Sequence, residues 1–596
     1  MQPIRLMVRA LGAAALTALV MTSLPHTGAR AAGPAVQSAP AIDTANFDPT
    51  CKPCDDFYQF ATGGWSKSHP LPAGRARWGG FDELAQRNRD ELHAILDEDA
   101  KLTNAPPGSD AQKLGAFYRA CMDEDAIEKA GTAPIAALSL GGLGLPDRDY
   151  YFNDGDRAEK IRAAYHAYVA PQLQNLGDEP AKAQTEATAV MALETALAKA
   201  TPKRADMRDP YKLYNPTPVA KLPALAPYVP WAAYFAAFGA PSFDTVIVSV
   251  PAYVTAYDEQ LSTAPLSTWK SYLRFKLADA YSGALPKRFE DAGFAFRNGV
   301  LLGVNEQLPR WQRCTTATDA SLRDVLGKAY VAAAFPPTAK TRAKALVDNL
   351  QATLREDIGT LDWMTPATQE RAREKLAAFT KKIAYPDRWE DYSKVEIVNG
   401  APYAADVLTI RRWNGDRAIT RIGTPTDRSR WNMTPPTVNA YYNPSNNEIV
   451  FPAGILGPPF FNATADDAVN YGAIGAVIGH EMTHGFDDQG RQFDAQGNLR
   501  DWWQPSDAAA FKVKAQCIVD EFDAFEPAPG AHENGRLVQG EAIADLGGLT
   551  IAYKAFEKTP DRFRDLGTLS NMPEFQSAFR CAATDAMVRK NRCQIW

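Results

Sequence analysis

From Asp82 to about Ala200, apolar positions recur every three or four residues. That period predicts helices in stretches such as Arg87–Glu98, Arg157–Leu176 and the alanine-rich Pro180–Ala200. Pro-rich connections at 215–230 interrupt the pattern. Helical spacing then returns at 266–281, 318–334, 339–357 and 366–382. A strand-like signal comes late, in Thr437-Val438-Asn439-Ala440-Tyr441-Tyr442 and Glu448-Ile449-Val450-Phe451. Asn443-Pro444-Ser445-Asn446-Asn447 between them is a turn cluster, so a hairpin is expected. A last helix is predicted over about 467–486. There is no internal repeat or low-complexity tract. The pattern describes a mainly helical, α+β protein of two lobes, with a small sheet beside that last helix.

At 596 residues the chain exceeds one ordinary core, which fits the two lobes. Apolar residues make up 45% and charged residues 22%, as in globular proteins. A net charge of -6 without any basic run argues against a nucleic-acid partner. The N-terminus changes the picture more. Arg5 and Arg9 precede the apolar run from Ala10 to Met21, and Ala29-Arg30-Ala31 offers a cleavage site. Residues 1–31 therefore read as a secretory signal peptide, since the run is too short for a retained anchor. Residues 32–47, rich in Ala, Pro and Ser, read as a flexible lead-in. No later segment reaches the roughly 18 apolar residues of a membrane span, so a soluble periplasmic or secreted mature chain is expected. The seven widely separated cysteines suit such an oxidising compartment, as disulfides with one thiol left over.

Within the last predicted helix lies Val477-Ile478-Gly479-His480-Glu481-Met482-Thr483-His484-Gly485-Phe486-Asp487-Asp488. His480 and His484, four residues apart, share a helix face and can aim a ring nitrogen each at one ion. Zinc accepts such imidazoles, and Glu481 between them can take a proton from zinc-bound water. A catalytic zinc normally has a third protein ligand on another element. Gly540-Glu541-Ala542-Ile543-Ala544-Asp545-Leu546-Gly547-Gly548 supplies two acids at i and i+4. One can bind the metal while the other fixes the tautomer of a ligand histidine. The alternative is a solvated acidic helix face, but the small and apolar flanks would make a charged face without a purpose costly.

With these residues the chain resembles the neprilysin / endothelin-converting-enzyme family of zinc metalloendopeptidases. The resemblance is carried by Pro53-Cys54-Asp55-Asp56-Phe57-Tyr58, Gly63-Gly64-Trp65, Arg77-Trp78-Gly79-Gly80-Phe81 and Tyr385-Pro386-Asp387. It continues in Val438 to Tyr442, Ile449 to Leu456, the two metal motifs and the terminal Cys593-Gln594-Ile595-Trp596. It implies a gluzincin-type architecture, with a thermolysin-like catalytic lobe at 291–596 and a helical cover lobe at 86–290 around a central cavity. Residues 48–85 would pack on the catalytic lobe. It also implies one zinc ion per chain, held by His480, His484 and Glu541, with Glu481 as general base and Asp545 supporting a ligand histidine. Asn439 and Ala440 match the edge-strand pair that holds substrate backbone, although the residues alone also allow a plain core hairpin. Arg77 matches a residue that meets a substrate's terminal carboxylate. Ile455 and Phe460 match apolar residues of the pocket next to the cleaved bond, and equally suit a core. The implied disulfides are Cys54–Cys581, Cys121–Cys314 and Cys517–Cys593, leaving Cys51.

The chain departs from the family after Gly547-Gly548-Leu549. Only Thr550 to Glu557 precede Lys558-Thr559-Pro560-Asp561-Arg562-Phe563-Arg564, where the family has several tens of residues more. Lys558 then aligns with the histidine that stabilises the oxyanion, and no histidine follows Glu541; the nearest, His532, precedes it and reads as a loop residue. Arg564 is retained and can share that role, and Ala542 stands where the family usually has Asn. Two expectations follow. One is a secreted, monomeric zinc endopeptidase that hydrolyses oligopeptides on the amino side of hydrophobic residues. The other is a zinc-retaining, catalytically impaired peptide-binding homologue.

Overall fold

A computed structural model describes residues 42–102, 104–123, 141–527 and 530–559. The signal peptide, most of the lead-in, Arg564, Cys581 and Cys593 lie outside them. The fold is mainly helical, as expected, with two small sheets among the described residues. Two large hydrophobic cores underlie two lobes. One is built from residues between Leu145 and Phe296, around Tyr165, Leu173, Val190, Leu197 and Phe275. The larger gathers Leu92 to Cys121 with residues from Cys314 to Ala555. The helices Gly80–Lys101 and Asp110–Met122 contribute to the larger core, and the second core is built from Leu145 onward. Amphipathic spacing identifies a helix but not the core it faces. Cys121–Cys314 forms the one expected disulfide whose partners are both described, with Cα atoms 5.7 Å apart, and it ties Asp110–Met122 to the helix Arg310–Ser321.

β1 (Pro216–Pro218) and β2 (Thr245–Ile247) make a short antiparallel pair. The sheet that matters for the site has the order β3-β5-β4, from β3 (Thr380–Ala384), β4 (Tyr441–Asn443) and β5 (Glu448–Pro452). β4 and β5 form the expected hairpin, with Tyr441 opposite Val450 and Asn443 opposite Glu448, although β4 begins only at Tyr441. β3 runs parallel to β5. It corrects the helix expected over 366–382, which ends at Ala377. The strand forms because Lys382, almost fully buried, meets the buried Glu448 carboxylate at 2.6 Å, a partner no local pattern reveals. The helix expected over 318–334 is likewise two helices, Arg310–Ser321 and Arg323–Ala334, broken at Leu322. None of the described helices is long and apolar enough to cross a membrane.

Candidate metal centre

The helical run Asp467–Asn470, a π-helical turn Tyr471–Gly475 and the helix Ala476–Thr483 follow each other, close to the expected 467–486. Ile478 and Met482 are fully buried and anchor this helix in the large core, leaving His480 and His484 on its partly open face. It packs against the helix Gly535–Glu557 at very short range. A Cβ added to Gly548 would fall 2.5 Å from the His480 backbone nitrogen, and one on Gly479 2.6 Å from the Gly548 carbonyl. Gly547 lies as tightly against Thr483. This glycine contact is what lets two side chains from one helix reach the histidines of the other.

Both acids lie beside the histidines, although their own side chains are largely exposed and not buried as the apolar flanks suggested. Asp545 Oδ1 lies 2.8 Å from His480 Nδ1, and Glu541 Oε2 lies 3.5 Å from Nε2 of His480 and 3.5 Å from Nε2 of His484. His484 Nδ1 has its own carboxylate, Asp487 Oδ2 at 2.8 Å. The two Nε2 atoms face each other at 2.9 Å, with the rings nearly perpendicular. Burial opposes charge on both imidazoles, but the carboxylates outweigh it and raise His480 to about 9 and His484 to about 10. Glu541 is held well below the usual carboxylate range by its hydrogen bonds to the two histidines. Glu481 behaves oppositely. It is buried, and desolvation pushes it up to about 7 although both histidines pull it down.

This donor set fits a zinc ion. With each Nδ1 donating to a carboxylate, both Nε2 atoms turn a lone pair toward the same point as an anionic Glu541 oxygen. Three electron-rich atoms at 2.9–3.5 Å need a cation or a proton between them. Two imidazoles and a carboxylate are a catalytic zinc set that leaves one position open.

The remaining expected residues are distributed as follows. β4 is the outer strand of its sheet, and the helix of Glu481 packs on it. Asn439, exposed, and Ala440, buried, lead directly into β4. Buried Asn88 fixes this approach by donating to the carbonyls of Pro436 and Gly454, both at 3.1 Å. Phe460 is half-buried, its ring 4.2 Å from that of Phe81. Arg77 lies four residues before Phe81, largely exposed, with Nε 3.4 Å from Asp82. Ile455 is fully buried in the large core, the packing alternative for that residue. Ala542 is buried and His532 exposed in a loop.

Lys558 stands elsewhere than its alignment implied. It caps the far end of the continuous helix Gly535–Glu557, where its Nζ lies 2.5 Å from Glu356 Oε2. At 1.5 Å per residue it sits about 25 Å along the axis from Glu541, out of reach of the metal centre. Replacing it cannot restore an oxyanion donor.

Two supports of the site carry little signal in the sequence. Asp487 belongs to the quoted motif, and its spacing of three from His484 could have suggested a partner; its Oδ1 also accepts the amides of Gln489 and Gly490, at 2.9 and 2.7 Å. Lys375 is only 1% exposed, more than a hundred residues upstream of the loop it holds. Its Nζ donates to the carbonyls of Gly485, Gly490 and Phe493 at 2.6–2.8 Å, and desolvation lowers it to about 7. Lys375→Met should cost about 3–5 kcal/mol of stability, because three buried carbonyls lose their donor at about 1–3 kcal/mol each. Calorimetry checks this; an unchanged transition would mean that the carbonyls find other donors.

The descriptive models of peptidase family M13 match residues 53–139 and 135–386 in its N-terminal part and 439–562 in its catalytic part. Endothelin-converting enzyme 1 of Rattus norvegicus is 32% identical over 92% of this chain and 86% of that protein. The alignment runs over 666 positions, more than this chain contains, so that relative carries segments absent here. Zinc metalloprotease Zmp1 of Mycobacterium tuberculosis is 32% identical; its inhibitor complex superposes with a TM-score of 0.81, covering 93% of this chain and 99% of that one. The same protein in its open state gives 0.67, covering 92% and 100%. PepO from Lactobacillus rhamnosis, at 22% identity, shares the fold with a TM-score of 0.78 over 91% of this chain and 98% of that one. The chain belongs to peptidase family M13, the zinc metallopeptidases.

Proposed function

We propose that this chain is a secreted or periplasmic endopeptidase that hydrolyses oligopeptides on the amino side of hydrophobic residues, as a monomer with one zinc ion held by His480, His484 and Glu541. One observation carries the reading: the outer strand β4 lies beside buried Glu481, and the Nε2 atoms of His480 and His484 converge with a Glu541 oxygen at 2.9–3.5 Å. When bound, zinc polarises the scissile carbonyl and acidifies water. The chain's own residues do the rest. Backbone groups of Asn439, Ala440 and β4 hold the peptide extended by strand addition. Buried Glu481 takes the proton of the attacking water and passes it to the leaving amine nitrogen. Asp545 and Asp487 hold the two imidazoles in one tautomer and orientation. Phe460 beside Phe81 supports the preference for an apolar side chain, and exposed Arg77 can meet a terminal carboxylate. The leader-like residues 1–31 support export.

The position of Lys558 favours a second reading, in which turnover is impaired while zinc and peptide still bind. With Lys558 engaged by Glu356, the oxyanion side lacks that donor, and loss of one such donor typically costs about 10²–10³ in turnover. One assay separates the two. Purified protein should bind one zinc and cleave a quenched peptide, with cleavage abolished by a chelator and restored by zinc. One zinc per chain without chelator-sensitive cleavage would establish the impaired reading instead.

A further inference from the structure

The helical lobe sends one side chain into the framework of the metal site. Arg208 ends a short turn, Asp206–Arg208, between the helix Pro180–Lys199 and Leu213, both of which pack in the second core. Its guanidinium is mostly buried and reaches two separate elements of the other lobe. Nη1 donates to the carbonyl of Leu537, at the start of the Glu541 helix, at 2.9 Å. Nη2 donates to both oxygens of Asp488 at 3.0 and 3.1 Å, on the loop after His484. Gln539 Nε2 closes the triangle on Asp488 Oδ2 at 2.8 Å.

The fit is close because Gly540 leaves room for it. A Cβ there would fall 2.6 Å from Arg208 Nη2, 2.8 Å from Asp488 Oδ1 and 3.1 Å from Asp487 Oδ2. Gly540 directly precedes Glu541, and Asp487 Oδ2 is the atom that holds His484 Nδ1. One guanidinium thus ties the element carrying the third metal donor to the element that orients the second. It also places positive charge beside two adjacent carboxylates, Asp487 and Asp488, where burial and then the Asp487 charge raise Asp488.

We propose that Arg208 is an interlobe positioning residue, through which docking of the helical lobe sets the spacing between Glu541 and His484 and so completes the metal site. The proposal rests on the zinc site assigned above. Its consequence is that metal affinity and lobe docking are coupled, although Arg208 touches neither metal nor substrate.

The test measures zinc affinity by chelator competition and the visible spectrum of the cobalt-substituted protein, for the full chain, Arg208→Met, Asp488→Asn and the double variant. Supporting residues of metal sites typically change affinity about 10–100-fold, and Arg208→Met is expected to weaken zinc by about tenfold and shift the cobalt bands. Asp488→Asn, nearly isosteric, should act in the same direction, and the double variant should be no weaker than the worse single one. A lowered unfolding temperature with unchanged zinc affinity and cobalt spectrum would make Arg208 merely structural and overturn the proposal, as would additive effects. Should Arg208→Met fail to fold, Asp488→Asn alone decides by the same two readouts. Failure of the unaltered chain to bind zinc would instead overturn the assigned site.

Discussion

Glu481→Gln should retain one zinc per chain and lose peptide hydrolysis by about 10²–10⁴-fold, the range general acid–base groups contribute. The substitution keeps the shape and removes only the ability to exchange a proton. Glu481 lies within 4.8 Å of both histidine donors but is buried, whereas the Glu541 carboxylate stands 3.5 Å from both Nε2 atoms, the arrangement on which the proposed division of roles rests. In the metal-free protein burial raises Glu481 to about 7, and a neighbouring cation lowers it from there, which favours the ionised form that a general base needs. The check is a comparison of turnover and zinc content on the same preparation. Equal turnover in the variant would remove Glu481 from the mechanism, and loss of zinc would make it a metal-site residue instead.

The centre of this site is legible in the sequence because it is local. His480 and His484 share a face by helical period alone, and so do Glu541 and Asp545. What brings the two faces together is less legible. Gly479 and Gly548 permit the backbone contact, yet a glycine in a helix announces neither its partner nor its purpose. The supports are less visible still. Lys375 and Arg208 look like ordinary surface charges within polar stretches, and only tertiary contact makes one a buried donor to three carbonyls and the other a bridge. Lys558 shows the opposite error. Alignment placed it beside the metal, but the uninterrupted helix from Gly535 to Glu557 carries it to the far end. The rise per residue along that helix sets the distance, which the motif alone does not show. β3 was missed for a related reason: Lys381 and Lys382 disguise a strand whose pairing to β5 and whose buried ion pair both come from distant residues.

The second large effect concerns how protons compete with zinc, and its sign follows from the geometry. In the metal-free protein His480 is raised to about 9 and His484 to about 10, by Asp545, Asp487 and Glu541 against the effect of burial. Two facing nitrogens 2.9 Å apart have room for one hydrogen between them, so the pair holds a single shared proton near neutral pH. Zinc must expel it. The apparent zinc affinity should therefore rise about tenfold per pH unit from pH 7 to about 10, where His484 loses the proton in the metal-free site, and then level off. Below pH 7 the slope should steepen toward a hundredfold per unit. There Glu481, raised to about 7, also carries a proton that a neighbouring cation drives off. Glu541, held ionised throughout, adds nothing to either limb. Competition with a chelator of known proton affinity measures the profile directly. A hundredfold rise per unit persisting from pH 7 to 9 would mean that both rings are charged, and a flat profile that the carboxylates do not raise them at all. Glu481→Gln gives an internal control, because it should erase the steep limb below pH 7 and leave the upper one intact. The residue that ends hydrolysis when replaced is thereby separable, by the protons it holds, from those that bind the metal.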